Sequence, residues 1–140
     1  MWEKKTNANI GDAYTWSTGD PWDFDGTAAD YINELNTEPC YAGYCNWRLP
    51  EVGKTGGSVE LETIVRWTQT CLDRTGPCID PIFGPTAASG LQGKWSLYWS
   101  AITRVAAGSD VAWFVSFIKT PLSSASKGDS MFVRAVRTIP

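Results

Sequence analysis

Three short segments towards the C-terminus constrain the fold of this chain most strongly: residues 98–101, 112–117 and 131–137. Each segment is rich in aromatic and β-branched residues, and Gly, Ser, Asp and Pro separate the segments. This pattern is typical of antiparallel strands joined by surface loops. We therefore predict that the three segments form the core sheet of one domain spanning residues 1–140.

The middle segment shows the clearest alternation between two faces. One face carries an apolar residue at every second position: Val111, Trp113, Val115 and Phe117. The opposite face carries Phe114 and Ile118, so we predict a central strand that is covered on both sides. The linkers at residues 104–110 and 119–129 are almost wholly small or polar, and we predict that both are exposed loops.

Composition excludes several classes of function. The chain has 140 residues, which fits one domain, and a net charge of −3. A negative net charge means that the chain has no excess of basic residues to contact phosphates, so we expect no binding to nucleic acid. The absence of histidine excludes a Ser-His-Asp triad and a histidine metal site. Eight tryptophans favour a role in recognition, because such rings serve binding surfaces as well as cores.

The chain has no run of about 18 apolar residues and no hydrophobic stretch after its first charges. We therefore expect neither direct membrane insertion nor a signal peptide within it. Residues 2–6 have the pattern of an edge strand near a terminus. Because the chain opens abruptly on a strand, we expect it to be a fragment of a longer protein that is secreted or displayed on a cell or virion surface.

Two stretches are predicted to be helical. In the first, at residues 27–36, Thr27 and Asp30 are placed as a capping pair and apolar residues recur on one face. In the second, Ser58 is placed to cap a helix with acidic residues in its first turn. Its buried stripe is predicted to consist of Leu61, Ile64, Val65 and Thr68.

Charged residues near the second helix have a structural interpretation. Arg48 lies between Trp47 and Leu49, so we predict that its guanidinium needs a buried or stacked partner. Glu60 and Glu62 are two residues apart and would fall on different faces of a helix, which argues against an acid and base pair. We interpret both as solvated carboxylates in a first turn.

Residues 7–26 form a loop rich in Asn, Gly and Asp, and we predict that its aromatic rings sit on the surface as lids: Tyr14, Trp16, Trp22 and Phe24. Four acids in this stretch invite a calcium hypothesis: Asp12, Asp20, Asp23 and Asp25. Their spacing does not match the twelve-residue calcium loop, which has acids at alternate positions, a central Gly and a closing Glu. Turn formation and capping are favoured instead, and we predict no bound metal.

The four cysteines form two local pairs, Cys40 with Cys45 and Cys71 with Cys78, although three connectivities are possible. The intervals are wider than those of usual zinc sites and lack the two-residue interval of redox pairs. We favour two loop-closing disulfides in an oxidising compartment, with free thiols as the alternative.

Several elements together resemble a known family, the C-terminal domain of Legionella collagen-like adhesins. In chain order they are Met1-Trp2-Glu3-Lys4, the helix at 27–36, Asn46-Trp47-Arg48-Leu49-Pro50, Glu60-Leu61, Tyr98-Trp99-Ser100, residues 112–117 and Val133-Arg134-Ala135-Val136-Arg137. The resemblance covers nearly the whole chain, and its Trp-Arg-Leu-Pro, Tyr-Trp-Ser and Val-Arg-x-Val-Arg elements are specific in combination.

This family is similar to the C-type lectin and formylglycine-generating-enzyme fold group. The resemblance implies an α+β domain with two helices and a small, mostly antiparallel sheet, in which the N- and C-terminal strands pair. Residues 2–6 would then lie beside residues 132–137. The sequence departs from the family in an extra region at 54–57 and in Ala101-Ile102, which replaces a more usual Ser-Thr pair next to the expected ligand surface.

The resemblance also implies a source of variation. Domains of this family are frequent targets of diversity-generating retroelements, which mutate adenines in a C-terminal coding segment. Residues 123–126 and 128–130 lie where family members carry Asn-rich runs. Their Ser, Ala, Gly and Asp residues are all reachable from an Asn codon by changes at adenines alone.

We therefore expect a non-enzymatic domain of receptor or adhesin type, without a cofactor, that binds a protein or glycan on another cell or virus surface through residues 95–131. The residues predicted to be exposed and to contact the ligand are Trp95, Leu97, Tyr98, Arg104, Ser109, Asp110, Lys119, Ser124, Ser126, Lys127, Asp129 and Ser130. Those predicted to form the scaffold are Trp99, Trp113, Val115, Phe117, Val133 and Val136. Three alternatives stay open: ordinary solvent-exposed loops, a glycan-binding adhesin module without diversification, and an enzyme by analogy with the formylglycine-generating group.

Overall fold

A computed structural model of the protein describes residues 1–16, 26–52, 59–67, 69–73, 77–86, 96–104, 108, 110–117 and 122–139. Within these ranges lies a five-stranded sheet, made of β1 (Ala13–Tyr14), β2 (Leu97–Thr103), β3 (Val111–Ser116), β4 (Leu122–Ser126) and β5 (Met131–Phe132). The strand order is β1-β5-β2-β3-β4. The neighbouring strands are antiparallel except β2 and β5, which run parallel where Tyr98 lies beside Phe132. The mixed sheet and its helices confirm an α+β architecture.

The prediction of β3 as a central strand is confirmed. It pairs with β2 on one side and with β4 on the other. The sheet separates two hydrophobic clusters, because Val115 and Phe117 pack in one of them and Ala112 and Phe114 in the other. The period-two alternation of β3 therefore supplies both halves of the core. Trp113 differs from the predicted scaffold in being only partly buried.

The first helix, α1 (Ala28–Leu35), forms where the sequence predicts it. Its N-cap Thr27 accepts a hydrogen bond from the backbone of Asp30, and the Asp30 carboxylate accepts one from the backbone of Thr27, which completes a capping box. The helix ends at Asn36, whose backbone donates to carbonyls of the last turn. Its buried face packs against the cluster that contains Trp99.

The prediction of a second helix is wrong for residues 59–67, while its predicted cap Ser58 and its last predicted residue Thr68 lie outside the described residues. The chain forms a 3-10 helix at Glu60–Ile64 and a separate short helix, α2 (Gln69–Leu72). At Val65 the backbone turns extended and pairs with Ile79, and Arg66 donates to the carbonyl of Cys78 at 2.9 Å. This long-range pairing draws the segment out of helical geometry, although Leu61 and Ile64 are buried as predicted.

The prediction of an exposed loop at residues 119–129 is wrong for residues 122–126, whereas residues 127–129 form a turn. Leu122–Ser126 is strand β4, which pairs with β3 over five consecutive positions at the edge of the sheet. Backbone hydrogen bonds hold such a strand whatever its side chains are, so an edge position accepts small polar residues.

Both predicted disulfides are confirmed. Cys40 is bonded to Cys45 and Cys71 to Cys78, with Cα atoms 5.1 Å and 4.8 Å apart, and these are all four cysteines of the chain. Glu38 lies close enough to the first pair to resemble a metal site. Because both sulfurs are bonded to each other, they offer no thiolate to a metal.

The predicted meeting of the two ends of the chain is confirmed at Trp2, which pairs antiparallel with Val136. The backbone of Glu3 donates to Ala135 at 2.9 Å, and that of Arg137 to Met1 at 2.8 Å. These contacts are bridges rather than a full edge strand.

No helix among the described residues is long and apolar enough to cross a membrane.

Glu3 is the centre of a buried polar cluster that no pattern in the sequence indicates. Its carboxylate accepts hydrogen bonds from Lys5 Nζ at 2.8 Å, from the backbone of Ala135 at 2.9 Å and from the hydroxyl of Tyr31. The exposed fractions of Glu3 and Lys5 are 0% and 4%. Burial lowers the pKa of Lys5, and the carboxylate of Glu3 opposes this shift.

Two tryptophans offer a matched test of the core. Trp99 is fully buried, and its indole Nε1 donates a hydrogen bond to the backbone carbonyl of Tyr14 at 2.8 Å. Trp67, by contrast, is 69% exposed. We expect Trp99→Ala to lower the free energy of unfolding by about 3–5 kcal/mol and Trp67→Ala by less than about 0.5 kcal/mol. Urea denaturation measures both, and equal losses would contradict the assignment of Trp99 to the core.

A second pair tests the buried carboxylate. Glu3→Gln leaves the ammonium group of Lys5 buried without a counter-charge, and we expect a loss of about 3–5 kcal/mol in the free energy of unfolding. The exposed Glu62 is the control, because Glu62→Gln should change stability by less than about 0.5 kcal/mol. A Glu3→Gln protein as stable as the parent would mean that the cluster is not required for closing the domain.

Candidate ligand-binding surface

The structure tests the predicted exposure of the ligand residues, and it places them unevenly. Trp95, Ser109 and Lys119 lie outside the described residues. Leu97 is half-buried and pairs with Ser116, at the end of β2 where the chain enters the sheet. It therefore lies away from the predicted residues that gather where β2 leaves the sheet.

The prediction that Tyr98 is exposed is wrong. Its side chain is 1% exposed, and its ring lies 5.0 Å from that of Phe117 and 5.5 Å from that of Phe132. The reason is the strand register, because Tyr98 lies opposite Val115 and so shares the core-facing side of that residue. Tyr98 is a scaffold residue.

Backbone pairing brings most of the remaining predicted residues to one end of the sheet. The backbone of Arg104 donates to Val111 at 2.8 Å, and Val111 lies opposite Ser126. The backbone of Lys127 donates to Asp110, also at 2.8 Å. We call this region the strand-end surface and define it by Arg104, Asp110, Trp113, Ser124, Ser126, Lys127 and Asp129.

A cation stacked on an aromatic ring organises one face of the strand-end surface. The guanidinium of Arg104 lies 4.9 Å from the ring centroid of Trp113, and its Nη1 donates to Ser124 Oγ at 2.8 Å. Trp113 and Ser124 are directly opposite each other on neighbouring strands. The three side chains therefore form one half-buried unit.

A second cation lies over a ring close by. Lys127 Nζ is 4.2 Å from the ring centroid of Trp16, and the backbone of Trp16 donates to the carbonyl of Lys127 at 3.0 Å. The indole Nε1 of Trp16 donates a hydrogen bond to the backbone carbonyl of Ser100 at 2.7 Å, and this bond fixes the orientation of the ring. The sequence predicted Trp16 as a surface lid but gave no signal that it meets Lys127.

The turn after β4 is held by its own backbone. Asp129 donates to the carbonyl of Ser126 at 3.0 Å, and Gly128 donates to Ser126 Oγ at 3.3 Å. Asp110, Ser126 and Ser130 are exposed, while Lys127 and Asp129 are half-buried. The surface thus combines small polar side chains, two cations and two acids on an ordered frame.

The interpretation of Glu60 as a solvated carboxylate is wrong, and the predicted need of Arg48 for a partner is confirmed. Two hydrogen bonds of 2.8 Å join the Arg48 guanidinium to the Glu60 carboxylate. This bond lowers the pKa of Glu60 and raises that of Arg48. The pair joins the Trp-Arg-Leu-Pro segment to the 3-10 helix, which is a structural role.

Comparison with known proteins identifies the family. The model of the Lcl C-terminal domain family matches residues 1–137. The chain belongs to the Lcl C-terminal domain family. This membership agrees with the resemblance drawn from the sequence and suggests an adhesin-like role. No curated protein and no solved structure matches the chain.

The stacked unit of this Lcl C-terminal domain gives a testable consequence. We expect Arg104→Ala to lower the free energy of unfolding by about 0.5–1 kcal/mol, because it removes the stacking on Trp113 and the hydrogen bond to Ser124. Arg104→Lys keeps the charge but loses the planar group, and should retain part of this energy. Chemical denaturation followed by tryptophan fluorescence measures both, and an Ala variant as stable as the parent would contradict the contact.

Proposed function

We propose that this protein is a non-enzymatic, adhesin-type binding domain that contacts its ligand through the strand-end surface. The main support for the proposal is that residues from four parts of the chain meet at one place: the end of β2, the start of β3, the end of β4 and the turn that follows it. Membership in the Lcl C-terminal domain family supports the adhesin-like part of this function.

The strand-end surface is suited to binding because its backbone is already ordered. The bonds that hold it run between main-chain groups of Arg104, Asp110, Val111, Lys127 and their neighbours. A preorganised surface loses little conformational entropy on binding. Tryptophan, arginine and serine side chains on such a frame supply contact area and adaptable hydrogen bonds.

We further propose that this surface is diversified by a retroelement that mutates adenines. The stretches in which Asn-derived codons are expected, residues 123–126 and 128–130, coincide with edge strand β4 and the turn that follows it. β4 pairs with β3 through main-chain groups, so side chains can vary at this edge while the pairing persists. We expect variation to cost little stability at the exposed Ser126 and in the turn that follows it, whereas Leu122 and Ala125 pack against the hydrophobic clusters.

The surrounding DNA tests diversification independently of binding. The proposal expects a near-copy of the segment coding for residues 95–137 that differs only at adenines, close to a reverse transcriptase gene. If the locus lacks such a copy, the diversification proposal is rejected, and the proposal of a binding domain is unaffected.

A glycan-binding adhesin module is the second candidate. The tryptophan rings of this surface can stack on sugars, and Arg104 and Lys127 can donate hydrogen bonds to them, although Asp110 and Asp129 balance the two positive charges. A glycan array at two ionic strengths distinguishes the candidates. Binding of sulfated glycans that weakens with salt would favour this alternative, whereas binding to a protein partner alone would favour the leading proposal.

The pairing of the cysteines supports a binding role over the enzyme alternative. A thiol-dependent reaction needs a free cysteine, and all four cysteines are in disulfides. Detectable oxidation of a Cys-containing peptide, lost when any one cysteine is replaced, would restore the enzyme hypothesis. The disulfides also support a site of action outside the cytosol, on a secreted or surface-displayed protein.

A multi-site library tests the binding proposal directly. We expect simultaneous substitution of Ser124, Ser126, Lys127, Asp129 and Ser130 to lower the Tm only modestly, because Ser126 and Ser130 are exposed and the contacts of the half-buried Ser124 and Lys127 contribute about 0.5–1 kcal/mol each. The same substitutions should alter or abolish ligand binding on a protein and glycan array.

The control changes exposed residues elsewhere: Lys4, Glu62, Asp73 and Thr138. These substitutions should leave both the Tm and the binding profile unchanged. A strand-end library that mostly fails to fold would mean that the surface is structural, and a library that folds with unchanged binding would place the ligand elsewhere.

A further inference from the structure

A cleft of about 320 Å³ opens between α1, the N-terminal turn and the segment that follows the helix. Among the residues that line it are Asn9, Asp12, Tyr14, Tyr31, Glu34 and Tyr41. Its volume lies at the lower end of the range of small-molecule sites. None of the residues of the strand-end surface lines it, so this cleft is a separate feature of the domain.

Aromatic rings form much of the wall of the cleft. The rings of Tyr14 and Tyr31 have centroids 5.0 Å apart and are tilted by 34°. The hydroxyl of Tyr31 donates to Glu3, and that of Tyr41 donates to the carbonyl of Lys4 at 2.9 Å. Because hydrogen bonds fix two of the three phenols, the rings are held in place before any ligand arrives. Aromatic faces of this kind attract cations, and the ammonium of Lys5 already lies 4.2 Å from the ring centroid of Tyr31, which leaves Tyr14 and Tyr41 for a ligand.

The charges at the cleft have a single sign. Asp12 and Glu34 contribute carboxylates, and neither forms a salt bridge with any residue in the described ranges. Burial raises the pKa of Tyr14 to about 12, and the charged groups that add to this shift are the carboxylates of Asp12, Glu34 and Glu3. The nearby ammonium of Lys5 is paired with Glu3 at 2.8 Å, so it offsets this field only weakly.

The arrangement fits an organic cation better than a metal ion. A metal needs several ligand atoms within a few ångströms of one another. Among the described residues, the group that meets such a criterion is Glu38 with Cys40 and Cys45, not the acids of the cleft. Exposed carboxylates that line a cleft together with tyrosine rings instead resemble the sites that hold an ammonium group.

We propose that this cleft binds an alkylammonium group, of the kind carried by a lysine side chain. The ammonium would lie between the carboxylates of Asp12 and Glu34, and its aliphatic stem would pack against the tyrosine rings. This site is distinct from the strand-end surface, so the domain would have two ligand sites of different chemistry.

The test is an NMR titration of the whole domain with matched probes. Nα-acetyl-lysine N-methylamide carries the ammonium group, and Nα-acetyl-norleucine N-methylamide is its uncharged counterpart. We expect the lysine probe to shift resonances of Tyr14, Tyr31 and Tyr41 in a saturable way, and the norleucine probe to leave them nearly unchanged. Butylammonium is a third probe. If it binds as tightly as the lysine probe, the alkylammonium group alone is sufficient for binding. If it binds more weakly, the peptide groups of the lysine probe also contribute.

Charge variants locate the site. Asp12→Asn and Glu34→Gln should each weaken binding of the lysine probe about two- to fivefold, as expected for a single partly exposed ion pair. Glu34 lies in the last turn of α1, where a carboxylate opposes the helix dipole, so its neutralisation should not destabilise the fold. The controls are Glu62→Gln and Asp73→Asn, which remove exposed acids outside the cleft and should leave the affinity unchanged.

Three results would overturn the proposal. The first is no saturable shift at about 10 mM lysine probe, well above a millimolar dissociation constant. The second is binding that Asp12→Asn and Glu34→Gln weaken no more than the control variants do. The third is equal binding of the lysine and norleucine probes, which would make the cleft an apolar pocket with no preference for a cation.

Discussion

The carboxylate of Glu3 is the interaction on which the rest of the domain depends. It lies fully buried and accepts hydrogen bonds from Lys5, Tyr31 and Ala135, which belong to the first segment, to α1 and to the last segment. A buried carboxylate is tolerated only when its hydrogen-bonding capacity is filled and its charge is paired. The two ends of the chain and the helix must therefore all be in place for this cluster to form.

Arg134 extends the same constraint to a fourth segment. Its guanidinium is fully buried and donates to the carbonyls of Glu3, Phe83 and Pro85, at 3.1 Å, 2.7 Å and 3.2 Å. Gly84 lies in this contact with φ +82°, and a Cβ atom there would come within 2.5 Å of the carbonyl of Lys5. The close approach of these two segments therefore requires glycine.

The two proposed sites lie at the margins of this closed frame. Hydrophobic clusters cover both faces of the sheet, and the accessible polar groups of the strand-end surface come from the ends of β2 and β4, the start of β3 and the turn after β4. The strand-end surface presents Arg104 and Lys127 stacked on tryptophans, whereas the cleft beside α1 presents carboxylates among tyrosines. The two proposed sites therefore differ in chemistry, and none of the residues that define the strand-end surface lines the cleft.

The sequence by itself determined the features that rest on local chemistry. The alternation of β3, the capping box of α1 and the two close cysteine pairs each depend on residues within a few positions of one another, and all are present in the structure. The aromatic segments likewise identified most of the scaffold, although Trp113 is only half-buried. Only the tertiary structure decided that Tyr98 is buried, that residues 122–126 form a strand and that Glu60 pairs with Arg48. The buried role of Glu3 and the cleft beside α1 also became visible only there. In each of these cases the partner lies far away in the chain, and strand register and side-chain pairing across such distances leave no periodic signal in the sequence.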